Sequence, residues 1–230
     1  MNEKLFDYIA VCPTAFHTCA HSADMLRESG YTELCEARRW EIVSGGKYFV
    51  TRNGSSLIAF RVPAGEIAGF MMTAAHGDSP AFKIKENAEL PDGNYLRLSV
   101  EKYGGMLCAP WLDRPLSVAG RVLVSEGDKL SVKLVDLKDP CAIIPNVAIH
   151  MNRNANDGMS YNAAVDMLPV WMSSEKGSFR AAVAKAAGVA EDAIVTGDLF
   201  LYDPQKGVTL GEYISAPRLD DLQCAFSSLT

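Results

Sequence analysis

Two short stretches of this sequence carry side chains that are able to bind a metal ion. The first, His76-Gly77-Asp78, places a carboxylate two residues after an imidazole. A histidine that binds a metal through one ring nitrogen needs a partner for the other, and Asp78 is close enough in sequence to be that partner. The second, Asp220-Asp221, directly precedes an apolar run with helical spacing. Each stretch also has a purely structural explanation, since Asp78 could cap a turn and acidic residues favour the first turn of a helix.

The apolar run at 67–75, which ends at His76, contains mostly small residues and the pair Met71-Met72. A continuous apolar run of this length, bounded by turn residues, predicts a strand that is buried on both faces, with both methionines in the core. His76 would then lie at the carboxyl end of a central strand, which is the edge where open α/β sheets bind ligands.

Local signals predict the elements around this strand. Helices are expected over 3–12 and 14–30, the second of them ending at Gly30. A hairpin is expected over 50–60, with its turn at Asn53-Gly54. The order helix, helix, hairpin and buried strand is typical of a sheet with helices packed on its faces.

The middle of the chain has a different pattern, one of short strands separated by regular turns, which predicts a small all-β or barrel-like unit. We therefore divide the chain into a first α/β segment (1–90), an inserted β-rich domain (91–200) and a return segment of the α/β domain (201–230). The clearest elements are strands at 117–124, 129–137 and 142–151, a helix at 178–187, a strand at 195–202 that could rejoin the first sheet, and an amphipathic helix over the last dozen residues.

Composition excludes several classes of protein. The 230 residues are 48% hydrophobic and carry a formal net charge of −6 without any basic run, which argues against nucleic acid or an anionic membrane surface as a partner. No stretch approaches the roughly 20 apolar residues of a membrane span, and the first residues lack the features of a signal peptide. Six scattered cysteines without a Cys-x-x-Cys pair favour reduced thiols in the cytoplasm.

Six separated motifs, in the same order, make the chain resemble the aspartyl aminopeptidase family of zinc exopeptidases over nearly its whole length. The motifs are Pro13-Thr14-Ala15-Phe16-His17, Lys47-Tyr48-Phe49-Val50-Thr51-Arg52-Asn53, His76-Gly77-Asp78-Ser79-Pro80, Leu112-Asp113-Arg114-Pro115-Leu116, Pro145-Asn146-Val147-Ala148-Ile149-His150 and Ala216-Pro217-Arg218-Leu219-Asp220-Asp221-Leu222. The resemblance implies an α/β fold with an open mixed sheet and helices on both faces, into which a β-rich dimerisation domain is inserted.

The resemblance implies roles for four residues. His76 would bind one of two Zn²⁺ ions, and Mn²⁺ or Co²⁺ also suit such ligands. Asp78, the residue we assign to the catalytic set, would hold the His76 imidazole in place. Asp220 would bridge the two metal ions, and the Asp220–Asp221 peptide bond is often cis in such sites. His150 would reach into the active site of a neighbouring subunit and help to bind substrate.

The resemblance also implies an activity and an assembly. The parent protein would be a cytoplasmic aminopeptidase that removes N-terminal residues, acidic ones by family preference, from peptides. Metal-activated water would attack the scissile carbonyl while a Glu moves the proton. The inserted domain would form a homodimer, and the dimers would assemble into larger shells.

The sequence departs from the family downstream of Asp220. A two-metal peptidase needs a general base, normally a Glu, and further carboxylate and histidine ligands, which in the family lie tens to hundreds of residues after the bridging aspartate. Here ten residues come after Asp220 (230 − 220), and no histidine comes after His150. We therefore expect this chain to carry about half of the site, to bind zinc weakly and to be inactive alone.

Several residues also have simpler interpretations. His150 is well explained as a structural histidine at a strand end, and Asp221 as a helix cap. His17 and His21 lie four residues apart on a predicted helix, where a packed or exposed face is more common than a metal site. Arg218 is equally suited to contact substrate or to pair with a carboxylate.

Two other functions remain open. One is a non-catalytic dimerisation module derived from the same family, which a folded and inactive product of a gene ending at Thr230 would favour. The other is an unrelated hydrolase with a single metal ion held by His76, His150 and Asp220, which one zinc per chain with intact activity would favour.

Overall fold

The computed structural model describes residues 2–171 and 178–230, and the chain divides into two compact units. We call Met1–Ser79 together with Gln205–Thr230 the terminal unit, and Pro80–Pro204 the inserted unit. Each unit has a buried apolar core of its own.

The terminal unit consists of helices and a small mixed sheet. Its elements are α1 (Asn2–Val11), α2 (Ala15–Glu28), β1 (Thr32–Leu34), β2 (Lys47–Arg52), β3 (Ser56–Arg61), β11 (Val208–Leu210), β12 (Tyr213–Ser215) and α4 (Leu219–Leu229). Strand β1 is parallel to β2, β2 and β3 form an antiparallel hairpin, and β11 pairs with β12. The predicted helices and the predicted hairpin are confirmed.

Local sequence signals explain where these elements begin and end. Helix α2 begins after Thr14, whose backbone is extended, and is followed by Gly30, whose φ of +80° is easily adopted only by glycine. The β2–β3 hairpin turns at Asn53 and Gly54, and both have positive φ, as the Asn-Gly pair predicts.

Two clusters of buried side chains stabilise the terminal unit. One cluster joins α4 to α1, and the other joins α2 to the sheet. Burial of each large apolar side chain contributes about 1.5–3 kcal/mol, so the first cluster holds the beginning of α4, and with it Asp220, against the N-terminal helix. The buried members are Leu5, Tyr8, Ile9, Cys12 and Leu222 in the first cluster and Ala23, Leu26 and Phe49 in the second.

Within the part of the chain that the structure describes, the inserted unit is a six-stranded barrel with one further strand, one α-helix and two short 3-10 helices at Ala109–Trp111 and Glu191–Ala193. Its elements are β4 (Ala81–Asp92), β5 (Tyr95–Tyr103), β6 (Pro115–Glu126), β7 (Lys129–Asp136), β8 (Ala142–Ile143), β9 (Val170–Trp171), α3 (Phe179–Ala187) and β10 (Ile194–Tyr202). The strands follow the order β10-β4-β5-β9-β8-β6, and β6 pairs again with β10, which closes the ring. Strand β7 pairs with β6 outside this ring.

The closed ring agrees with the barrel-like unit that the sequence predicts for the middle of the chain, but it corrects the fold that the resemblance implies, since the largest sheet is this barrel and not an open mixed sheet. The strand predicted at 195–202 exists as β10, but it pairs with β4 and β6 of the inserted unit instead of rejoining the first sheet. Closure gives both edges of β10 a partner for its backbone hydrogen bonds. Gly120 permits this pairing, since a Cβ at that position would lie 2.0 Å from the carbonyl oxygen of Asp198.

The barrel interior is filled by alternate residues of its strands, as expected where one face of each strand is buried. Helix α3 covers part of this core, with the Ser178 hydroxyl accepting a hydrogen bond from the Ala181 N–H at its start and Gly188 in a left-handed conformation at its end. The helix predicted at 178–187 is therefore confirmed. The fully buried core side chains include Phe82, Leu98, Val100, Leu116, Val118, Val122, Val124, Val135, Ile144, Met167 and Leu201.

The strand predicted over 142–151 is mostly absent. Only Ala142–Ile143 forms a strand. Pro145 follows and has no N–H to donate, and the Asn146 side chain accepts a hydrogen bond of 2.9 Å from the next backbone N–H. These two features end the strand, and the chain from 145 to 169 contains neither α-helix nor strand.

The strand predicted over 67–75 is also wrong for this chain. These residues form neither helix nor strand, and the side chains of Phe70 and Met72 are 86% and 87% exposed. A strand is stable only when a neighbouring strand accepts and donates its backbone hydrogen bonds, and none of the described strands pairs with this run. Met71 and Met72 are therefore surface residues here and not core residues.

The six cysteines carry free thiols. Burial raises the pKa of the Cys12 thiol to about 12, so this side chain behaves as a small apolar core residue. None of the described helices has the length and apolar character required to cross a membrane.

Candidate metal centre

His76 and Asp220 meet in the terminal unit although 144 residues separate them (220 − 76). The Nε2 atom of His76 lies 3.0 Å from Oδ1 of Asp220. His76 follows the exposed run at 67–75, and Asp220 lies at the beginning of α4. Both side chains are open to solvent, with exposed fractions of 52% and 88%. The site is therefore accessible to an ion or a substrate.

Asp78 contacts the other ring nitrogen of His76. Nδ1 lies 3.0 Å from the backbone carbonyl oxygen of Asp78 and 3.3 Å from its Oδ1 atom. A ring that donates its Nδ1–H to Asp78 presents the lone pair of Nε2 toward Asp220, which is the tautomer that a metal ligand requires.

The start of α4 is irregular, and this irregularity presents the two aspartates. Arg218 has a left-handed backbone, Asp220 and Asp221 have non-helical dihedral angles, and the peptide bond between the two aspartates is cis. The Asp221 carboxylate accepts a hydrogen bond of 3.4 Å from the backbone N–H of His76. Its pKa is lowered, first by a hydrogen bond from the Cys224 thiol and also by the backbone N–H groups of His76 and Cys224. The interpretation of Asp221 as a helix cap fits these contacts.

Two small residues beside His76 were not singled out from the sequence. The Ser79 hydroxyl donates a hydrogen bond of 2.8 Å to the backbone carbonyl oxygen of Asp220. Gly77 leaves room for α2, since a Cβ there would lie 2.9 Å from Cγ2 of Thr18. The only sequence signal for either residue is its position within the His76-Gly77-Asp78-Ser79-Pro80 motif.

The electrostatic environment of His76 favours a positive charge. Its pKa is raised above the ordinary value, first by the hydrogen bond to the backbone carbonyl of Asp78 and then by the negative charges of Asp78, Asp221 and Asp220. The same carboxylates that favour a proton on the ring favour any cation placed at Nε2.

The donor atoms fit part of a zinc site. Histidine nitrogen and aspartate oxygen are the ligand types that zinc uses outside all-cysteine sites. Among residues 2–171 and 178–230, no group of three or more His, Cys, Asp or Glu side chains is arranged to hold a metal ion. His76 and Asp220 therefore supply two converging donors, fewer than the three or four protein ligands of a complete zinc site.

The other sequence candidates have different surroundings. His150 lies in an exposed turn of the inserted unit, so it belongs to the unit that does not contain His76. His17 Nδ1 lies 2.9 Å from the Thr14 hydroxyl, and the His21 ring packs 5.6 Å from the Tyr8 ring. These contacts agree with a packed helix face for both histidines.

Arg218 is placed by a backbone contact. Its guanidinium donates a hydrogen bond of 3.0 Å to the carbonyl oxygen of Ile9 in α1. This bond joins the residue before α4 to the N-terminal helix and so helps to place the aspartates that follow.

Similarity to known proteins defines the class to which this chain belongs. Residues 8–230 match the family model described as aminopeptidase I zinc metalloprotease (M18). The chain belongs to this family, which confirms the resemblance found from the sequence motifs.

Curated relatives share the family assignment. The chain is 42% identical over 240 residues to a probable M18 family aminopeptidase 2 from Clostridium novyi and 39% identical over 241 residues to the protein of the same name from Stutzerimonas stutzeri. These alignments cover 99% and 100% of this chain but 55% and 56% of the relatives. The chain thus spans about half the length of the curated relatives it matches.

Solved structures support the fold. The chain superposes on Chaetomium thermophilum mApe1 with a TM-score of 0.87 and 33% identity, covering 99% of this chain and 57% of that one. The S. cerevisiae mApe1 dodecamer gives a TM-score of 0.81 at 27% identity, covering 99% of this chain and 54% of that one. An M18 aminopeptidase from Thermotoga maritima superposes with a TM-score of 0.80 at 21% identity, covering 99% of this chain and 53% of that one. At this level of identity the similarity supports the fold alone.

Proposed function

We propose that this chain carries part of the active site of a zinc-dependent aminopeptidase. The observation that carries the proposal is the 3.0 Å distance between Nε2 of His76 and Oδ1 of Asp220. Two motifs of a zinc metalloprotease family, far apart in sequence, place a nitrogen and an oxygen donor side by side at an accessible position.

Each residue of the proposed site has a distinct task. His76 binds one metal ion through Nε2, and Asp78 holds the Nδ1 proton so that Nε2 stays available. Asp220 would hold the metal through its carboxylate, whose two oxygens would let it serve a second ion as well. Zinc supplies Lewis acidity when bound, because it polarises a scissile carbonyl and increases the nucleophilicity of water. Mn²⁺ or Co²⁺ would suit the same donors.

The 230 residues are proposed to be inactive by themselves. Two donors are too few for a complete zinc site, and no further His, Asp or Glu of the described residues joins them in a metal-binding group. In a protein as long as the curated relatives, the general base and the remaining ligands would come from residues beyond this chain. We expect this chain alone to bind zinc weakly and to leave peptides uncleaved.

The substrate and assembly proposals rest on the family. We propose N-terminal Asp or Glu as the residue released from peptides, and a homodimer formed through the inserted β-rich domain (91–200) of a catalytic domain made of 1–90 and 201–230. The dodecamer of the S. cerevisiae relative favours such an oligomer. His150 would contact substrate in a neighbouring subunit. A cytoplasmic location remains a prediction from the scattered cysteines.

Zinc titration of matched histidine variants tests the proposal. The wild-type chain should bind Zn²⁺ weakly, and both His76→Ala and Asp220→Asn should abolish this binding. His150→Ala is the matched control, since it removes an exposed histidine of the inserted unit and should leave the zinc Kd unchanged.

Each alternative predicts a different result. Loss of zinc binding in His150→Ala would favour a single-metal site that includes this residue. Zinc binding that survives His76→Ala would contradict the proposed centre. Peptide cleavage by the wild-type chain that His76→Ala removes would contradict the proposal that the chain is inactive alone, whereas a folded chain that binds no zinc would favour a non-catalytic module.

A further inference from the structure

We infer that Ser79 is a positioning residue for Asp220, an inference that rests on the proposed role of Asp220 as a metal ligand. The Ser79 hydroxyl donates a hydrogen bond of 2.8 Å to the backbone carbonyl oxygen of Asp220, 141 residues away in the sequence. This bond joins the loop that carries His76 directly to the beginning of α4. Ser79 therefore joins the backbone of Asp220 directly to the loop that carries His76.

Asp220 needs such an anchor because the contacts that hold the start of α4 join it to α1 and not to the loop that carries His76. These contacts are the burial of Leu222 in the first cluster and the bond from Arg218 to Ile9. The side chain of Asp220 is 88% exposed, and the Asp220 backbone, with φ of −88° and ψ of 104°, lies outside the regular part of α4. An exposed side chain on an irregular segment takes its direction from the backbone atoms that are held on either side of it.

The segment from His76 to Ser79 contacts the two aspartates at two points, one on the Asp220 backbone and one on the Asp221 side chain. Ser79 binds the carbonyl oxygen of Asp220, and the backbone N–H of His76 binds the carboxylate of Asp221 at 3.4 Å. The Ser79 bond is the shorter of the two and is therefore the stronger anchor. Groups that orient metal ligands in this way typically change metal affinity by about 10–100-fold when they are removed.

Zinc affinity in three serine variants tests this inference. Zn²⁺ would be titrated into the 230-residue chain while the ring protons of His76 are followed by NMR, a readout that measures weak binding without any activity. Ser79→Ala should raise the zinc Kd about tenfold, whereas Ser79→Thr, which retains the hydroxyl, should keep it within about twofold. Ser227→Ala is the matched control, because Ser227 also donates to a carbonyl oxygen, that of Gln223 at 2.9 Å in the same helix.

The possible outcomes separate this inference from the proposed function. An unchanged Kd in Ser79→Ala, with binding still lost in His76→Ala, would overturn the role of Ser79 and leave the metal centre intact. An equal loss in Ser79→Thr or in Ser227→Ala would also overturn it, because the hydroxyl bond to Asp220 would not be the cause. If the Ser79→Ala chain did not fold, the hydroxyl would be required for folding, and its role as a positioning group for Asp220 would be overturned. If zinc binding by the wild-type chain did not depend on His76, both the proposed metal centre and the role of Ser79 would be overturned.

Discussion

At the scale of single residues, Gly77 and Thr18 set how closely α2 approaches the turn that carries His76. A Cβ at position 77 would lie 2.9 Å from Cγ2 of Thr18. Thr18 is buried, and its hydroxyl donates to the carbonyl oxygen of Thr14 at 3.1 Å, so its methyl group has little freedom to move. The contact leaves no space for a larger residue at position 77.

We predict that Gly77→Ala lowers the free energy of unfolding by about 1–3 kcal/mol, because the added methyl group overpacks this contact. Thr18→Ser removes Cγ2 but keeps the hydroxyl, so the double variant should recover most of the loss. Urea unfolding followed by circular dichroism measures both effects. Gly65→Ala is the control, since a Cβ there meets no atom within 4 Å. A double variant as unstable as Gly77→Ala would contradict the assignment of the loss to the contact between position 77 and Cγ2 of Thr18.

The sequence predicts some of this site and misses the rest for a physical reason. His76, Asp78 and Asp220 are recognisable because only a few residue types bind metals or orient a metal-bound ring. The function of Ser79 depends on a backbone carbonyl 141 residues away, and serine hydroxyls form bonds of this kind throughout proteins. No spacing rule identifies such a residue before the fold is known.

At the scale of elements, an ion-pair group stabilises the seam where the barrel closes. Asp198 of β10 contacts Lys83 of β4 at 2.8 Å and Arg121 of β6 at 3.1 Å. Burial raises the pKa of Asp198, but hydrogen bonds from Lys83 and Arg121 outweigh burial and lower it below the ordinary value. A carboxyl group with a lowered pKa in the folded state stabilises the fold above its unfolded pKa of about 3.9, and this contribution is lost as the pH falls through the folded pKa.

We predict that Asp198→Asn lowers the stability of the inserted unit by about 1–2 kcal/mol at pH 7. The difference from wild type should shrink as the pH falls below about 4, where the wild-type carboxyl group becomes neutral as well. Unfolding followed by the fluorescence of Trp111 and Trp171, both in this unit, provides the measurement. Glu126→Gln is the control variant, because Glu126 forms an exposed pair with Lys133 at 3.3 Å. It should lower the free energy of unfolding by less than about 0.5 kcal/mol. A pH-independent difference would contradict the assigned pKa direction.

Close packing at the seam predicts that a side chain at position 120 strongly lowers the stability of the inserted unit. A Cβ at this position would lie 2.0 Å from a backbone carbonyl oxygen of β10, and a backbone atom inside a sheet cannot move aside as a side chain can. Gly120→Ala should therefore destabilise the inserted unit by about 3 kcal/mol. Gly105→Ala, where no atom lies within 4 Å, should change it by less than about 0.5 kcal/mol. Equal stabilities of the two variants in urea unfolding would contradict close packing at the seam.

Elements with local signals are predictable from this sequence, and elements that depend on distant partners are not. The β2–β3 hairpin and α3 carry their own turn and cap residues, Asn53-Gly54 and Ser178 with Gly188. The apolar run at 67–75 has the composition of a buried strand, but a strand exists only where another strand pairs with it. The sequence predicts the barrel only in general terms, because strand order follows from pairings between residues far apart in the sequence.

At the scale of the whole molecule, we expect the exposed run at 67–75 to promote self-association of the chain. Phe70, Met71 and Met72 are adjacent and almost fully exposed, and exposed apolar patches promote association. We predict that the variant Met71→Ser with Met72→Ser scatters less light at the same protein concentration than wild type. Leu107→Ser, which removes a single exposed leucine of the inserted unit, should leave light scattering unchanged. Equal scattering by all three chains would contradict the prediction.

The pairing of β4 with β10 has a consequence for how this chain could be rebuilt. They are the first and last strands of the inserted unit, and Lys83 lies opposite Phe200 in their antiparallel register, so the strands that enter and leave the unit run side by side, about 5 Å apart at this pair. A segment with adjacent ends can be excised and replaced by a short linker, or transplanted into a surface loop of another protein, because the host chain need not open a gap to receive it. We therefore expect that residues 80–204 can be transferred to another protein as one segment.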